Sequence, residues 1–490
     1  MDTLQPVNAR TGEPHGKPLP ASTAEDIHRT VAEAHAAAGG WGSSDAAQRA
    51  GLLIALADTL EAERSKLVAW ADLETALGPV RLNSEVERTA FQLRRFAELA
   101  QRGVPYAVLD DPAVAGAPPA GHSAMRRQRV PLGPVAVFAA SNFPFAFSVL
   151  GGDTASALAA GCPVVVKAHP GHPGLSQQVW ALARRTLQSR SLPEGLIGMV
   201  QGASPEIGAA LVRHPLITAG AFTGSTRGGM ALLAEARARK RPIPFYGELG
   251  AINPVIALPA ALAARGAELA TTLAASITLG CGQFCTNPGL IVLLDGAETD
   301  AFVAQLVQAL SRQQPHPMLT PAMRKAFDAD VKAFMEAGAQ SLLQGQGVAP
   351  APGPQLMQVG AARFIERPAL REEVFGPCSL IVRCAGLSEV HAVLAAVGGS
   401  LTVTLWGADE DTPEHRALVR SATQVAGRVL FAGVPTGVAV TAAQQHGGPW
   451  PASTAPMSTS VGDAALERFL RPVCLQDAPA WLVARGGVPC

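Results

Sequence analysis

Apolar positions recur at helical spacing over the first hundred residues, and the pattern then changes. Leu52, Leu53, Leu56, Leu60 and Leu67 lie one or two turns apart, as on the buried face of an amphipathic helix. The predicted helices span about 22–38, 45–78 and 83–102, the first opened by the capping-box spacing of Ser22-Thr-Ala-Glu25. This part of the chain is therefore expected to be a helical layer.

Beyond residue 122, short apolar runs alternate with helical segments in two successive blocks. The first block has predicted strands at 135–138, 164–166, 197–200, 219–222 and 243–246, and helices at about 145–160, 173–189, 204–212 and 226–239. The second block has predicted strands at 255–258, 291–294, 379–382, 402–405 and 428–431, helices near 261–279, 299–312 and 321–338, and a loop at 343–360. Such alternation predicts an α/β fold with parallel sheets and ligands at the carboxyl ends of the strands.

Composition and charge exclude several classes of protein. Lys and Arg total 39, as do Asp and Glu, so no net positive field would gather nucleic acid or an anionic membrane. The uncharged span 130–152 is long enough to cross a membrane, but its three prolines favour a buried strand, a turn and a helix start. Seven scattered cysteines without a signal-peptide pattern favour reduced thiols and a cytoplasmic location.

One cysteine is a candidate nucleophile. Cys285 lies where a helix-like segment meets the turn Thr286-Asn-Pro-Gly289. A nucleophilic thiol needs a group that favours its thiolate and a hydrogen-bond donor for the oxyanion that its attack creates. It also needs a base that assists release of the group bound to the sulfur. Cys281 is more typical of a buried apolar residue, and no Cys or His pair with zinc spacing accompanies these two thiols, so no metal is expected.

Polar residues follow four strands of the first block. Asn142, Lys167, Ser225 and Glu248 come after its first, second, fourth and fifth strands. Ser225 also opens a predicted helix, and the amino end of a helix is a favourable place for a phosphate. An amide, an ammonium, a phosphate site and a carboxylate are thus expected at one sheet edge.

The order of these motifs resembles the aldehyde dehydrogenase superfamily over essentially the whole chain. The resemblance rests on Asn142-Phe-Pro, Lys167, Phe222-Thr-Gly-Ser, Glu248-Leu-Gly, Gly282-Gln-Phe-Cys285 and Glu372-Glu-Val-Phe-Gly-Pro377. It implies the aldehyde dehydrogenase fold: a Rossmann-like cofactor domain (1–108 and 132–249), an α/β catalytic domain (250–463) and a small β ribbon for oligomerisation (109–131 and 464–490). A homodimer or homotetramer is implied as well.

The resemblance also implies catalytic roles. Cys285 would attack an aldehyde to give a thiohemiacetal, with the Asn142 amide and the Cys285 backbone N–H as oxyanion donors. Hydride transfer to a nicotinamide would leave a thioester. Glu248 would then activate the water that hydrolyses it, a role that favours a somewhat raised pKa.

The same resemblance implies the residues of a dinucleotide site. Lys167 would hold a ribose, Gly224 and Ser225 the pyrophosphate, Glu373 the nicotinamide ribose and Phe375 the nicotinamide ring, with Gly250 close by. Lys167-Ala-His-Pro170 lacks the carboxylate that many family members carry after the lysine. NADP is therefore acceptable or preferred over NAD, and Arg213 is a possible partner for its 2′-phosphate.

Further motifs look like one branch of the superfamily. Val166-Lys-Ala-His-Pro, Gln283-Phe-Cys-Thr-Asn-Pro-Gly289, Gly447-Gly-Pro-Trp-Pro and Phe469-Leu-Arg-Pro-Val473 are similar to the 2,5-dioxopentanoate (α-ketoglutarate semialdehyde) dehydrogenases and to NADP-dependent fatty aldehyde dehydrogenases. A dicarboxylate-type substrate would need a cation near the thiol. The candidates are Arg81, Arg88, Arg94 and Arg95.

Several alternatives stay open at this point. The substrate could be a medium-chain, long-chain or aromatic aldehyde. A CoA-acylating enzyme would not need Glu248, and a non-catalytic relative would not need Cys285 and Glu248 together. A cysteine hydrolase would need a partner histidine and would leave Lys167 and Ser225 unexplained.

Overall fold

The computed structural model describes residues 2–484. Its helices are α1 (Ala24–Gly42), α2 (Ala46–Ala62), α3 (Arg64–Thr75), α4 (Pro79–Gln101), α5 (Gly152–Ala160), α6 (Pro173–Ser189), α7 (Pro205–Arg213), α8 (Thr226–Ala238), α9 (Pro259–Thr278), α10 (Ala297–Ser311), α11 (Pro321–Glu336), α12 (Ala361–Glu366), α13 (Leu387–Val397), α14 (Pro413–Val425) and α15 (Ala480–Ala484). Its strands are β1 (Thr3–Leu4), β2 (Leu19–Pro20), β3 (Leu109–Asp111), β4 (Met125–Pro131), β5 (Val135–Phe138), β6 (Val164–Lys167), β7 (Ile197–Val200), β8 (Ala219–Thr223), β9 (Phe245–Glu248), β10 (Val255–Ala257), β11 (Leu290–Leu294), β12 (Gln340–Gln344), β13 (Gln355–Gly360), β14 (Cys378–Cys384), β15 (Ser400–Trp406), β16 (Ala426–Leu430) and β17 (Leu470–Gln476).

The amino-terminal helical layer is present, with shifted boundaries. The capping box of α1 is formed by Thr23 and Asp26, one residue after the predicted pair. Asp45 caps α2 as predicted, since its side chain accepts from the backbone N–H of Gln48. The predicted helix 45–78 is wrong as one unit because the chain leaves helical geometry at Glu63, between α2 and α3.

The first alternating block forms a five-stranded parallel sheet in the order β7-β6-β5-β8-β9. Strand order reverses between β5 and β8, where loops on opposite sides of the sheet leave a crevice. The loop with Asn142 follows β5, and the one with Ser225 follows β8. Burial of β5 along its whole length explains its uninterrupted apolar sequence. The predicted helix 145–160 begins only at α5, after a series of turns.

The second block forms a seven-stranded sheet in the order β12-β13-β14-β11-β10-β15-β16. All neighbours are parallel except β12 and β13, which pair antiparallel. The predicted loop 343–360 is wrong in part, because β12 ends and β13 lies within it. The pattern also does not predict α12, α13 and α14.

A third sheet joins distant parts of the chain. β17 pairs antiparallel with the whole of β4, and β3 pairs with the other side of β4. This is the ribbon that the resemblance implies, but the domain boundaries and the oligomeric state stay predictions. Within residues 2–484 no helix is long and apolar enough to cross a membrane, and the uncharged span 130–152 contains β5 and the start of α5.

A buried ion pair fastens the carboxy-terminal segment to the five-stranded sheet. Arg468 Nη2 lies 2.7 Å from Asp153 Oδ1, with 3% and 9% of the two side chains exposed. Asp153 lies in the first turn of α5, and Arg468 precedes β17. Removing one partner would leave an unpaired charge buried away from solvent.

Arg468→Met is expected to lower the free energy of unfolding by about 3 kcal/mol or more, because Asp153 would lose its counter-charge. Urea denaturation followed by circular dichroism measures this change. Arg416→Met is the control, since Arg416 and Asp411 form an exposed ion pair and the urea midpoint should not change. Equal stability of the two variants would contradict the role of the buried pair.

Candidate active site

A left-handed stretch of backbone places Cys285. Gly280, Cys281 and Gly282 all have positive φ, of 56°, 61° and 64°, between α9 and β11. At Gly282 a Cβ would lie 2.2 Å from the carbonyl oxygen of Gly376, so only glycine fits there. Two motifs far apart in sequence, Gly282-Gln-Phe-Cys and Glu372-Glu-Val-Phe-Gly-Pro, therefore pack backbone against backbone.

Asn253 anchors the same loop from the other side. Its Nδ2 lies 2.8 Å from the Cys285 carbonyl oxygen and 2.9 Å from that of Asn287, and it donates to both. Its Oδ1 accepts from the backbone N–H of Thr402 in β15 at 3.2 Å. The buried amide thus ties the thiol-bearing loop to the seven-stranded sheet, a role that the sequence reasoning missed.

Glu248 lies at the carboxyl end of β9, beside the helix proposed for phosphate binding. β9 pairs with β8 so that Glu248 faces Thr223, and the N–H of Gly224 donates to the Glu248 carbonyl oxygen at 3.1 Å. The side chain is 3% exposed, and Ser460 Oγ donates to its Oε2 at 2.6 Å. The carboxylate therefore has a fixed direction.

A buried histidine lies between the thiol and the carboxylate. His446 Nε2 is 3.6 Å from Cys285 Sγ and 3.1 Å from Glu248 Oε1, and its side chain is 1% exposed. The hydroxyl of Thr459 holds it by accepting from the His446 backbone N–H. Sequence reasoning missed His446 and Ser460. The available signal was that His446 directly precedes the unusual Gly447-Gly-Pro-Trp-Pro segment.

Burial and charge set the protonation of these groups. Burial, and then the neighbouring charge of Glu248, raise the pKa of Cys285 well above its ordinary value, and Arg88 offsets only part of this effect. Burial also raises the pKa of Glu248, but His446, Ser460 and Cys285 together outweigh it and the pKa is lowered. The expectation of a raised pKa for Glu248 is therefore wrong for this state of the site.

Asn142 lies beside the same loop. Its side chain is buried, and Nδ2 donates to the carbonyl oxygen of Gln283 at 2.9 Å, two residues before the thiol. Arg81 donates to the Asn142 carbonyl oxygen at 2.5 Å and lies between the rings of Phe143 and Phe284, at 5.1 and 4.5 Å from their centres. Arg81 thus holds Asn142 and the thiol loop together, although its Nη1 is buried without a hydrogen-bond partner among residues 2–484.

The residues predicted for the dinucleotide lie along one edge of the five-stranded sheet and continue toward the thiol. Lys167 Nζ donates to the Gly202 carbonyl oxygen at 2.7 Å, and burial lowers its pKa to about 8. Gly224 and Ser225 are exposed at the amino end of α8, where Ser225 caps the helix by accepting from Gly228. Backbone N–H groups at this exposed helix start fit a pyrophosphate.

Gly250 and Glu373 meet at the far end of this edge. A Cβ on Gly250 would lie 2.8 Å from Glu373 Oε2, so the glycine leaves room for the carboxyl group. Burial, followed by the charges of Glu248 and Asp330, raises the pKa of Glu373 to about 8 although Ala251 donates to it. Phe375 is half-buried two residues later. The residues present therefore fit a dinucleotide that extends from Lys167 to Glu373.

The arginines considered for anionic groups separate into two sets. Arg94 pairs with Asp58 and Glu61, and Arg95 with Asp463 and Glu98. Arg213 forms ion pairs with Glu206 and Glu235, so a 2′-phosphate would have to compete with two carboxylates for it.

Arg88 and Arg428 form the second set. Each interacts electrostatically with Cys285, and each donates to backbone carbonyl oxygens of the loop 435–438, Arg88 to Val438 and Arg428 to Gly437 and Pro435. The Nε of both arginines is buried without a hydrogen-bond partner among the described residues. Sequence reasoning named Arg88 and missed Arg428.

Comparison with known proteins agrees with this geometry. The sequence profile of the aldehyde dehydrogenase family matches residues 2–448. The chain is 46% identical to alpha-ketoglutaric semialdehyde dehydrogenase 2 of Azospirillum brasilense, over 99% of this chain and 93% of that protein. It is 40% identical to alpha-ketoglutaric semialdehyde dehydrogenase of Acinetobacter baylyi, over 97% and 91%. The crystal structure of an NAD-dependent aldehyde dehydrogenase from Sinorhizobium meliloti superposes with a TM-score of 0.82, at 23% identity, over 98% of this chain and 92% of that one.

Cofactor affinity is expected to fall as pH rises through about 8, because Lys167 then loses its charge. Loss of a charge-assisted hydrogen bond should raise the Kd of NADP about 10-fold between pH 7 and pH 9.5. The contribution of Lys167 to folding stability changes with pH in the opposite direction. Between pH 8 and 10.5 the unfolded chain still holds the proton that folded Lys167 has lost, so this contribution to stability increases with pH.

Isothermal titration with NADP at the two pH values measures this loss. Lys167→Arg is the matched variant, because arginine keeps its charge at both pH values. Its Kd should change little. The same loss of affinity in the arginine variant would show that another group titrates.

Proposed function

The chain belongs to the aldehyde dehydrogenase family and oxidises aldehydes, and we propose that its substrate is 2,5-dioxopentanoate, which it converts to 2-oxoglutarate with NADP or NAD. One observation carries the proposal. The Cys285 thiol lies 3.6 Å from His446 Nε2, which lies 3.1 Å from the Glu248 carboxylate, and Arg88 interacts electrostatically with the thiol. A nucleophile, a base and a cation for a second carboxylate are what this reaction needs.

The first half of the reaction begins with a protonated thiol. Because burial and Glu248 disfavour the Cys285 thiolate, its proton must leave as the sulfur attacks the aldehyde carbon. We assign this proton to His446, whose Nε2 lies 3.6 Å from Sγ. The new S–C bond turns the carbonyl oxygen into an oxyanion, for which Asn142 and the Cys285 backbone N–H are the proposed donors.

A bound NADP or NAD supplies the acceptor for the hydride that leaves the thiohemiacetal carbon. Lys167, the amino end of α8 with Gly224 and Ser225, Gly250, Glu373 and Phe375 are the residues proposed to hold it. The backbone N–H of Gly224 donates to the carbonyl oxygen of Glu248. This hydrogen bond connects the residues proposed to bind the cofactor phosphates directly to the residue proposed as the base. NADP in preference to NAD is part of the proposal, because no carboxylate follows Lys167 in Lys167-Ala-His-Pro170.

The second half of the reaction hydrolyses the Cys285 thioester. Glu248 takes a proton from water as the water oxygen attacks the thioester carbon; the C–S bond then breaks, the carboxylic acid is released and the sulfur takes up a proton to become the thiol again. With the sulfur acylated, the thiol no longer acts on Glu248, so the carboxylate loses one of its smaller interactions, while those with His446 and Ser460 remain. Ser460 keeps the carboxylate aimed in both.

Substrate choice is proposed to rest on Arg88 with Arg428. A distal carboxylate is paired most favourably by a guanidinium in a partly dry site. The identity of 46% to a protein named for this semialdehyde supports the same substrate class. A medium-chain or aromatic aldehyde would bring no carboxylate to these two arginines, and Arg88 would then interact only with groups of the protein such as the buried Glu85.

Glu248→Gln is expected to separate the two halves of the reaction. Acylation and hydride transfer should continue, while hydrolysis should slow by about 100-fold or more because water has lost its base. Stopped-flow absorbance should therefore record a burst of reduced cofactor close to one per site, followed by a slow steady rate. Cys285→Ala is the control and should give no burst while still binding NADP. Normal steady turnover of the glutamine variant would remove Glu248 from the mechanism.

Arg88→Met is expected to lower kcat/KM for 2,5-dioxopentanoate about 100-fold relative to kcat/KM for hexanal, since loss of a buried charge partner costs about 2–5 kcal/mol. The ratio is compared because Arg88 also acts on the thiol and could slow both substrates. Arg94→Met, on the same helix but paired with Asp58 and Glu61, should leave the ratio unchanged. If wild-type enzyme prefers hexanal, the assigned substrate is wrong; if both variants keep the ratio, Arg88 does not select the substrate.

A further inference from the structure

Three potential metal ligands converge on one point in the active site. Cys285 Sγ, His446 and the Glu248 carboxylate each offer a ligand atom, and these atoms lie within 4.8 Å of one another. Thiolate, imidazole and carboxylate are the ligands that Zn²⁺ takes in proteins. Three protein ligands with an open fourth position are the arrangement of an accessible zinc site rather than a closed structural one.

The separations match those around a tetrahedral ion. With Zn–S of about 2.3 Å and Zn–N and Zn–O of about 2.0 Å, tetrahedral angles put S and N about 3.5 Å apart and N and O about 3.3 Å apart. The observed separations are 3.6 Å for Cys285 Sγ and His446 Nε2, and 3.1 Å for His446 Nε2 and Glu248 Oε1. The third separation, from Sγ to the Glu248 carboxylate, is below 4.8 Å, so the three side chains surround a space of the right size for the ion.

The Glu248 carboxylate is held in position by one hydrogen bond, and its second oxygen remains available to a metal ion. Ser460 occupies Oε2 of Glu248, while Oε1 has no hydrogen-bond partner among residues 2–484 even though His446 Nε2 lies 3.1 Å away. His446 and Cys285 both interact with this carboxylate, and a bound ion would replace those two contacts. Hydrogen bonds that orient a ligating carboxylate strengthen metal sites, and Ser460 provides one here.

Charge and access favour a divalent cation. A thiolate and a carboxylate side by side repel each other, and one ion of charge +2 neutralises both. Cys285 is only half-buried, in contrast to His446 and Glu248, so the open side of the site faces the approach to the thiol. A soft thiolate disfavours Mg²⁺ and Ca²⁺, which prefer oxygen ligands.

We propose that Cys285, His446 and Glu248 form an inhibitory binding site for Zn²⁺, which holds the enzyme inactive by occupying its nucleophile and its base together. Binding forms Zn–S, Zn–N and Zn–O bonds and releases the thiol proton to solvent, with no change of oxidation state. The fourth position holds water. Removal of the ion restores the free thiol, so the inhibition is reversible.

Metal binding is tested directly with Co²⁺ in place of Zn²⁺. Wild-type enzyme should develop a thiolate-to-cobalt charge-transfer band that saturates at one ion per chain, and Zn²⁺ should displace it. His446→Gln should weaken Co²⁺ and Zn²⁺ binding by at least about 100-fold, and Ser460→Ala by about 10-fold. No band in the wild-type enzyme, or equal affinity in His446→Gln, would overturn the proposal.

A surface pair of histidines provides the matched control. His28 Nδ1 lies 3.0 Å from His214 Nε2 on the exposed surface, where an adventitious ion could bind. His214→Gln should keep both the cobalt band and its affinity. Loss of Co²⁺ binding in that variant would place the ion at the surface and overturn the proposal.

Thiol protection and activity complete the test. Zn²⁺ should protect Cys285 from iodoacetamide and abolish aldehyde oxidation, a chelator should restore both, and Mg²⁺ should do neither. The inhibition rests on the proposed function, whereas the cobalt band and the protection of the thiol do not depend on which aldehyde is oxidised. A band with unimpaired turnover would show that binding is not inhibitory, and the absence of oxidation of any aldehyde without metal would instead contradict the proposed function.

Discussion

A carboxylate and a thiol share a site from which water is largely excluded, and this constraint governs the rest of the active site. Glu248 cannot be charged beside a charged Cys285 without a counter-charge, so the thiol stays protonated and its pKa is raised. The nucleophile is therefore stored in an unreactive form. His446 Nε2 lies 3.6 Å from the thiol sulfur and 3.1 Å from the carboxylate, so this histidine is in contact with both groups.

Hydrogen bonds to the backbone and one close backbone contact hold this arrangement in place. Asn253 holds the Cys285 loop by two carbonyl oxygens, and Gly282 lies against Gly376 where no side chain fits. On the other side, the pairing of β8 with β9 places the phosphate-binding helix start next to Glu248. The thiol thus belongs to one sheet and the base to the other, and residues 248–254 join the two sheets. Small shifts between the sheets would change the distance between nucleophile and base.

Much of the fold could be predicted because its strands are buried on both faces. β5 and β7 have the predicted bounds, and α6 does as well, since their apolar runs end at turn residues. The wrong predictions concern segments whose local sequence is typical of a different structure. β12 and β13 contain several glutamines and flank a Pro- and Gly-rich turn, so the stretch resembles a loop until pairing with β14 places β13 in the sheet. The shift of the first capping box by one residue reflects two adjacent hydroxyl residues that could each cap the helix.

The sequence by itself determined the order of the parts: which strand ends carry an amide, an ammonium, a helix start and a carboxylate, and which cysteine lies at a turn. Those features are local, because each depends on a strand, the residue that ends it and the turn that follows. Only the tertiary structure decided which distant groups meet them. His446 is 161 positions from Cys285, and Arg428 resembles any other arginine in the sequence. Their place beside the thiol follows from the packing of two sheets, which periodicity and spacing along the chain do not encode.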